Sequence, residues 1–296
     1  DQKFVSQMHQ AGIKVIPFVS NHWNLTNGRA ALENWRTTAH QLAQYVLQAD
    51  LNGINIDIEN LRQEDASNQN LLLRELHTLL QPHHKQLSIA VAAATEPSTE
   101  GWIGQYDYAT IGQLVDYVII MAYDKHYEGS QPGAIAPLSW VEESITYLAT
   151  QIPAQKLILG LPFYGRQWTD QEGGTGIGYD AIHNLIAKGG LQPDWDETTA
   201  SPFLHERLGE QVREIWYENS HSLQTKLQLI ENYQLAGMAG WRLGLEDPAF
   251  WPLLQQFLSE YAAYFLDTRG HWAERAIIQM AEAGLIQGYP NQQFQP

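Results

Sequence analysis

Cysteine is absent from all 296 residues. No disulfide can form, and no thiolate is available to hold a metal. Basic residues are scarce. Seventeen Lys and Arg stand against 33 Asp and Glu, a formal net charge of −16 with a pI near 5.0. So acidic a chain is poorly matched to nucleic-acid phosphates, and equally to an anionic lipid surface. No apolar run is long enough to cross a bilayer, and no signal peptide is visible. The chain opens at Asp1 without Met, so removal of upstream sequence is expected. Aromatic residues are plentiful, with 10 Trp and 14 Tyr, and hydrophobic content is 44%. That is ample for a core, with rings to spare for a binding cleft.

Six β-rich runs recur along the chain: Lys14–Ser20, Gly53–Glu59, Leu87–Ala94, Tyr117–Ala122, Lys156–Pro162 and Gly237–Leu243. Helical spacing of apolar residues fills Arg29–Ala49, Gln69–Leu80, Trp140–Thr150 and Ser222–Tyr233. Alternating strand and helix predicts a parallel sheet wrapped by helices. Polar and aromatic residues cluster at the C-terminal ends of the runs. They are Asn21, His22 and Trp23; Asp57 and Glu59; Tyr123 and Asp124; Tyr164 and Arg166; and Trp241 and Arg242. In a (β/α)8 TIM barrel that end carries the active site. Only six strands are read where eight are needed, and the segment before Lys14 is short and helical. The expectation is an α/β barrel over residues 1–262 lacking its first two strands, with an open six-stranded sheet as the alternative. Residues 167–218 read as a small α+β insertion before the last strand. They hold a glycine cluster (Gly173, Gly174, Gly176, Gly178), a helix over Tyr179–Lys188 and β-like pieces near Ser201–Glu206 and Val212–Tyr217. No phosphate-loop Lys-Ser/Thr follows the glycines, which argues against nucleotide binding.

The run Leu51–Asn60, LNGINIDIEN, carries the most chemistry. Strand side chains alternate between faces, so Asn55, Asp57 and Glu59 share one face and Ile54, Ile56 and Ile58 the other. An amide and two carboxylates on one face are costly unless that face meets water or a ligand. Two carboxylates so close repel, which keeps one of them protonated. A protonated carboxyl beside an ionised one suits acid-assisted cleavage of an acetal. A solvated edge strand is the bland alternative. Gly53 and the β-branched backing favour the catalytic reading.

With these residues in place the chain resembles the family-18 glycoside hydrolases. The family's DGxxDxDxE strand stands here as Asn52, Gly53, Asn55, Asp57 and Glu59, with Asn at the two earlier acidic positions. The Asn positions bring it nearest to the bacterial spore-cortex and cell-wall N-acetylglucosaminidases. Met121–Asp124 (MAYD) is similar to the family's MxYD strand end, and Gly240–Pro248 (GWRLGLEDP) to its last strand. The resemblance implies Glu59 as acid and base, with the substrate's own acetamido oxygen as nucleophile. Asp57 and Tyr123 would orient and stabilise that group. Asp124 would hold the sugar and tune Glu59, Trp241 would floor the reacting ring, and Met121 belongs to the same substrate-binding set. Peptidoglycan, or a chitin-type N-acetylated glycan, is the implied substrate. A chitinase or an inactive carbohydrate-binding surface protein remains the alternative. No metal or organic cofactor is called for. Residues 263–296 resemble the start of an S-layer homology motif, with a helix over Ala273–Ala283 capped by Gly284. Such motifs anchor proteins to cell-wall polymers, which implies a secreted, bacterial cell-surface location.

Other positions are more open. Asn55 is weighed evenly between substrate contact and a hydrogen bond under the site. Asn21 is placed in the cleft. Tyr164 and Arg166 contact substrate, or Arg166 pairs with an acid. Glu218 is read as reaching the cleft. His83 and His84 read as solvated, and Asp194 and Asp196 as loop charge.

Overall fold

The computed structural model describes residues 1–170, 172–188 and 191–262, with seven further positions between 268 and 286. Five parallel strands come first: β1 (Phe18–Ser20), β2 (Gly53–Asp57), β3 (Gln86–Ala92), β4 (Tyr117–Met121) and β5 (Leu157–Pro162). An antiparallel sheet follows: β6 (Tyr164–Thr169), β7 (Glu172–Gly178), β8 (Asp194–Asp196), β9 (Ser201–Leu208) and β10 (Gln211–Tyr217). β11 (Gly237–Trp241) then returns to the first sheet, whose order is β1-β2-β3-β4-β5-β11. All six expected strands are present, parallel, in TIM-barrel-like order. Among the described residues no pairing closes β1 on β11. At that open seam Phe18 and Trp241 meet edge to face, ring centroids 5.9 Å apart, and stay 51% and 44% exposed.

Helices cover the parallel sheet. They are α1 (Gln2–Gln10), α2 (Leu25–Glu33), α3 (Trp35–Gln48), α4 (Ala66–Leu80), α5 (Tyr108–Leu114), α6 (Leu138–Ala149), α8 (Ser220–Asn232) and α9 (Phe250–Ala262), while α7 (Tyr179–Ala187) belongs to the second sheet. Helix and strand together bury one continuous core, in which Ile54, Ile56, Ile89, Val118, Ile120 and Leu159 are at most 1% exposed. The helix expected over Arg29–Ala49 is broken at Asn34, whose side chain donates to Ala30 O at 2.9 Å. Asn competes with the helix for its own backbone in this way. Gly53 lets β2 pass close to the backbone of β3, since a Cβ there would lie 2.1 Å from Gln86 O.

The insertion begins earlier than residue 167. β6 starts at Tyr164, and Asp194–Asp196 is a strand rather than loop charge. The glycine cluster is strand β7, paired with β6 through a bulge at Gln167/Trp168. The helix expected over Ala273–Ala283 and its Gly284 cap fall mostly outside the described residues.

Candidate functional site

A cleft of about 950 Å³ opens at the C-terminal ends of β2, β3 and β4, with Arg166 of the second sheet on its wall. Glu59, Met121, Tyr123, Asp124 and Arg166 line it, as do Trp23, Glu96, Trp102, Lys125, Tyr127, Glu128 and Trp140. Segments far apart in sequence thus supply one site. Glu59 follows β2, Met121 to Lys125 end β4, and Arg166 lies on β6.

The carboxylates stand in one field. Burial pushes the Glu59 carboxyl up to about 7, helped by the negative charges of Asp57 and then Asp124. Desolvation therefore outweighs the like-charge repulsion expected from the sequence as the cause. Burial also raises Asp57, opposed by the nearby charge of His22. The Asp57 Oδ1 is buried and meets no protein donor among the described residues. Burial raises the Tyr123 hydroxyl far above its ordinary value, reinforced by Asp57, Glu59 and Asp124. Tyr123 is thus held as a neutral donor beside three acids. Gly160 leaves room for it, since a Cβ there would sit 3.1 Å from the Tyr123 ring.

Asp124 is held by three donor atoms. Tyr164 Oη donates to its Oδ1 at 2.6 Å, Arg166 Nε to Oδ1 at 2.7 Å and Arg166 Nη2 to Oδ2 at 2.7 Å. Arg166 Nη1 also donates to Gly174 O at 2.6 Å. Such a bidentate, charge-assisted pair fixes orientation as well as charge. Of the two readings of Arg166, the pairing with an acid is the one present, although the side chain also reaches the cleft. Tyr164 is buried and directed at Asp124.

Besides Tyr164, four expected substrate contacts are not among the residues lining the cleft. Asn55 is buried under the site, its amide donating to Ser88 Oγ at 2.9 Å on the neighbouring strand. Asn21 is 8% exposed and spends its amide on backbone, donating to Asn24 O and Glu59 O and accepting from Glu59 N, each at 2.9 Å. Trp241 ends β11 on the open seam against Phe18 and is not among the residues lining the cleft. Glu218 never reaches the cleft. It is wholly buried, accepting from Lys226 Nζ at 2.8 Å and Ser222 Oγ at 2.6 Å. A residue closing a strand next to a helix start turns inward where a buried cation awaits it, and here that cation is Lys226, eight residues on.

Sequence reading missed the aromatic wall formed by Trp102, Tyr127 and Trp140, and with it Glu96, Lys125 and Glu128. Trp140 lies on the first turn of α6 and the others occupy the segments after β3 and β4, where the strand-end rule already pointed. Lys125 lies over the Trp140 ring at 5.4 Å, and Trp23 meets Trp102 edge to face at 5.1 Å. Among the described residues no cluster of His, Asp and Glu is arranged to hold a metal ion.

A family model described as glycosyl hydrolases family 18 matches residues 5–246, and one for the S-layer homology domain matches residues 264–296. The cortical fragment-lytic enzyme of Bacillus subtilis is 31% identical over 226 residues, covering 74% of this chain and 52% of that protein. The chain spans between half and three fifths of the length of such curated relatives. The spore cortex-lytic enzyme SleL of Bacillus megaterium superposes with a TM-score of 0.78 at 27% identity, covering 86% of this chain and 61% of that one. A chitinase from Chromobacterium violaceum gives 0.81 at 28%, covering 87% and 84%. A match over residues 5–246, together with the parallel sheet and its cleft at the strand ends, places this chain in family 18 of the glycosyl hydrolases.

Proposed function

We propose that this chain is a retaining glycoside hydrolase that cleaves β-1,4 bonds after N-acetylglucosamine in peptidoglycan. One observation carries the reading. Glu59, held protonated to about 7, opens on the same cleft as Tyr123 and stands in the field of a buried Asp57 whose Oδ1 has no protein partner among the described residues. A proton donor, a hydroxyl donor and a free carboxylate acceptor meet the three needs of acetamido-assisted cleavage.

Glu59 gives its proton to the glycosidic oxygen as the bond to the anomeric carbon breaks. The substrate's acetamido oxygen closes on that carbon from the opposite face, forming an oxazolinium ion. Asp57 accepts the acetamido N–H on its free Oδ1 and balances the developing positive charge. Tyr123 donates to the acetamido oxygen and aligns it. Glu59, now a carboxylate, takes a proton from water, which opens the ring with retained configuration. Family 18 is a known substrate-assisted exception to the two-carboxylate scheme. Trp23, Trp102 and Trp140 offer ring faces to further sugars. The cortex-lytic relatives and the S-layer homology match support a cell-wall glycan met at the bacterial surface after secretion. The chitinase neighbour supports chitin as the second reading.

Purified peptidoglycan and chitin oligosaccharides are digested with wild type beside Glu59→Gln, and products are read by mass spectrometry. The expected result is release from peptidoglycan of fragments with N-acetylglucosamine at the reducing end, by wild type only. General-acid loss should cost about 100- to 10,000-fold in turnover with sugar binding retained. Cleavage of chitin alone moves the assignment to chitinase. Turnover by Glu59→Gln close to wild type removes Glu59 as the acid.

A further inference from the structure

Glu59 lies two residues past the last residue of β2, beyond the hydrogen-bond ladder that fixes the strand. Its backbone is held instead by two buried side-chain amides. Asn21 treats Glu59 as a strand neighbour would, accepting from its N–H at 2.9 Å and donating to its carbonyl at 2.9 Å. Gln105, with no exposed surface, donates to Ile58 O at 2.6 Å and accepts from Leu61 N at 2.8 Å. Every backbone group bonded here is within two residues of the acid. Gly28 makes the seat for the first amide, because a Cβ there would lie 2.8 Å from Asn21 Nδ2 and 3.2 Å from Ile58.

Each amide sits on a segment that also carries a cleft tryptophan. Trp23 follows Asn21 by two residues and Trp102 precedes Gln105 by three, and the two rings touch. Asn60 Nδ2 donates to Trp23 O at 2.9 Å, tying the acid's own loop to the same corner. The result is a closed ring of contacts from Trp23 through Asn21, the Ile58–Leu61 backbone and Gln105 to Trp102. No single strand or helix spans it.

We propose that Asn21 and Gln105 are positioning residues for Glu59, a two-amide clamp that replaces the missing strand ladder and fixes where the acid delivers its proton. The Trp23–Trp102 pair closes the clamp on the substrate side. This inference rests on Glu59 as the acid of the reading above. The clamp touches neither substrate nor Asp57, so its loss should be felt as misplacement of the acid rather than as lost sugar binding.

The test compares wild type with Asn21→Leu, Gln105→Leu and Gly28→Ala. The readouts are turnover and KM on an aryl β-glycoside of an N-acetylglucosamine oligomer, and carbon-13 NMR titration of the Glu59 carboxyl. The groups facing Glu59, namely Asp57, Asp124, Tyr123 and Tyr106, are unchanged in all three, as is His22 beside Asp57. In both Leu variants turnover should fall at least tenfold while KM stays within threefold of wild type. The Glu59 titration should move down toward the ordinary carboxyl range as the loosened acid reaches water. Gly28→Ala keeps the amide yet displaces it, and should reproduce the Asn21 effect in weaker form. Unchanged turnover in both Leu variants overturns the proposal. So does an unmoved Glu59 titration in variants that remain folded. Should wild type turn over no substrate, the reading of the reaction fails, and the NMR titration alone still decides the clamp.

Discussion

Glu59 and Asp124 act on each other through space, and that coupling can be read in pH. The proposed mechanism needs the Glu59 proton, so activity is expected to fall as pH rises through about 7. Asp124 is one of the charges that raises Glu59. Asp124→Asn removes it and leaves Arg166 without its carboxylate, and both changes favour the ionised acid. The alkaline limb of kcat/KM should therefore move to lower pH. A limb that stays put excludes Asp124 from tuning the acid. The same raised value makes a stability statement. The folded state holds the Glu59 proton more tightly than the unfolded chain, so its contribution is complete below the ordinary carboxyl range and is lost as pH rises through about 7. Glu59→Gln does not titrate. Its thermal midpoint should gain on wild type from the ordinary carboxyl range up to about 7 and run parallel above, a trend calorimetry at stepped pH will show.

The six parallel strands announce themselves as aliphatic runs because the sheet is covered on both faces by helices or by its own interior. The second sheet is quieter in sequence. β7 is almost all glycine and polar residues, with the burial pattern of an exposed strand, so no hydrophobic period marks it. β8 is three residues long, and a tryptophan between two aspartates carries no strand signature at all. The neighbouring carboxylates Asp57 and Glu59 were legible because alternation from Ile54 to Glu59 is strict. The clamp was not, because a lone Asn and a lone Gln have no period and take meaning only from what folds against them. Glu218 misled for a related reason, since strand-end position alone does not reveal a buried lysine. Gly53 tests the packing of β2 on β3. The atoms a Cβ would meet are Gln86 backbone, at 2.1 to 2.9 Å, and backbone cannot step aside as a side chain can. Gly53→Ala should cost about 3 kcal/mol or more, above ordinary overpacking, in chemical denaturation.

At the scale of the whole molecule the charge dominates. A body carrying −16 repels a glycan strand that bears lactyl and peptide carboxylates, and salt screens the repulsion over about 30 Å at 10 mM and about 8 Å at 150 mM. Turnover on peptidoglycan is expected to rise severalfold across that range, while turnover on neutral chitin oligosaccharides stays level. Parallel progress curves on the two substrates will separate the cases. The hold that Tyr164 and Arg166 keep on Asp124 has a consequence for descent. Those two residues belong to the wall sheet, whereas Asp124 follows a strand of the parallel sheet. A lineage that exchanged this wall for another shape would strip the aspartate of its donors unless the newcomer brought a tyrosine and an arginine at the same places. The wall and the MAYD strand are thus expected to change together, although the chain order separates them by a helix and a strand.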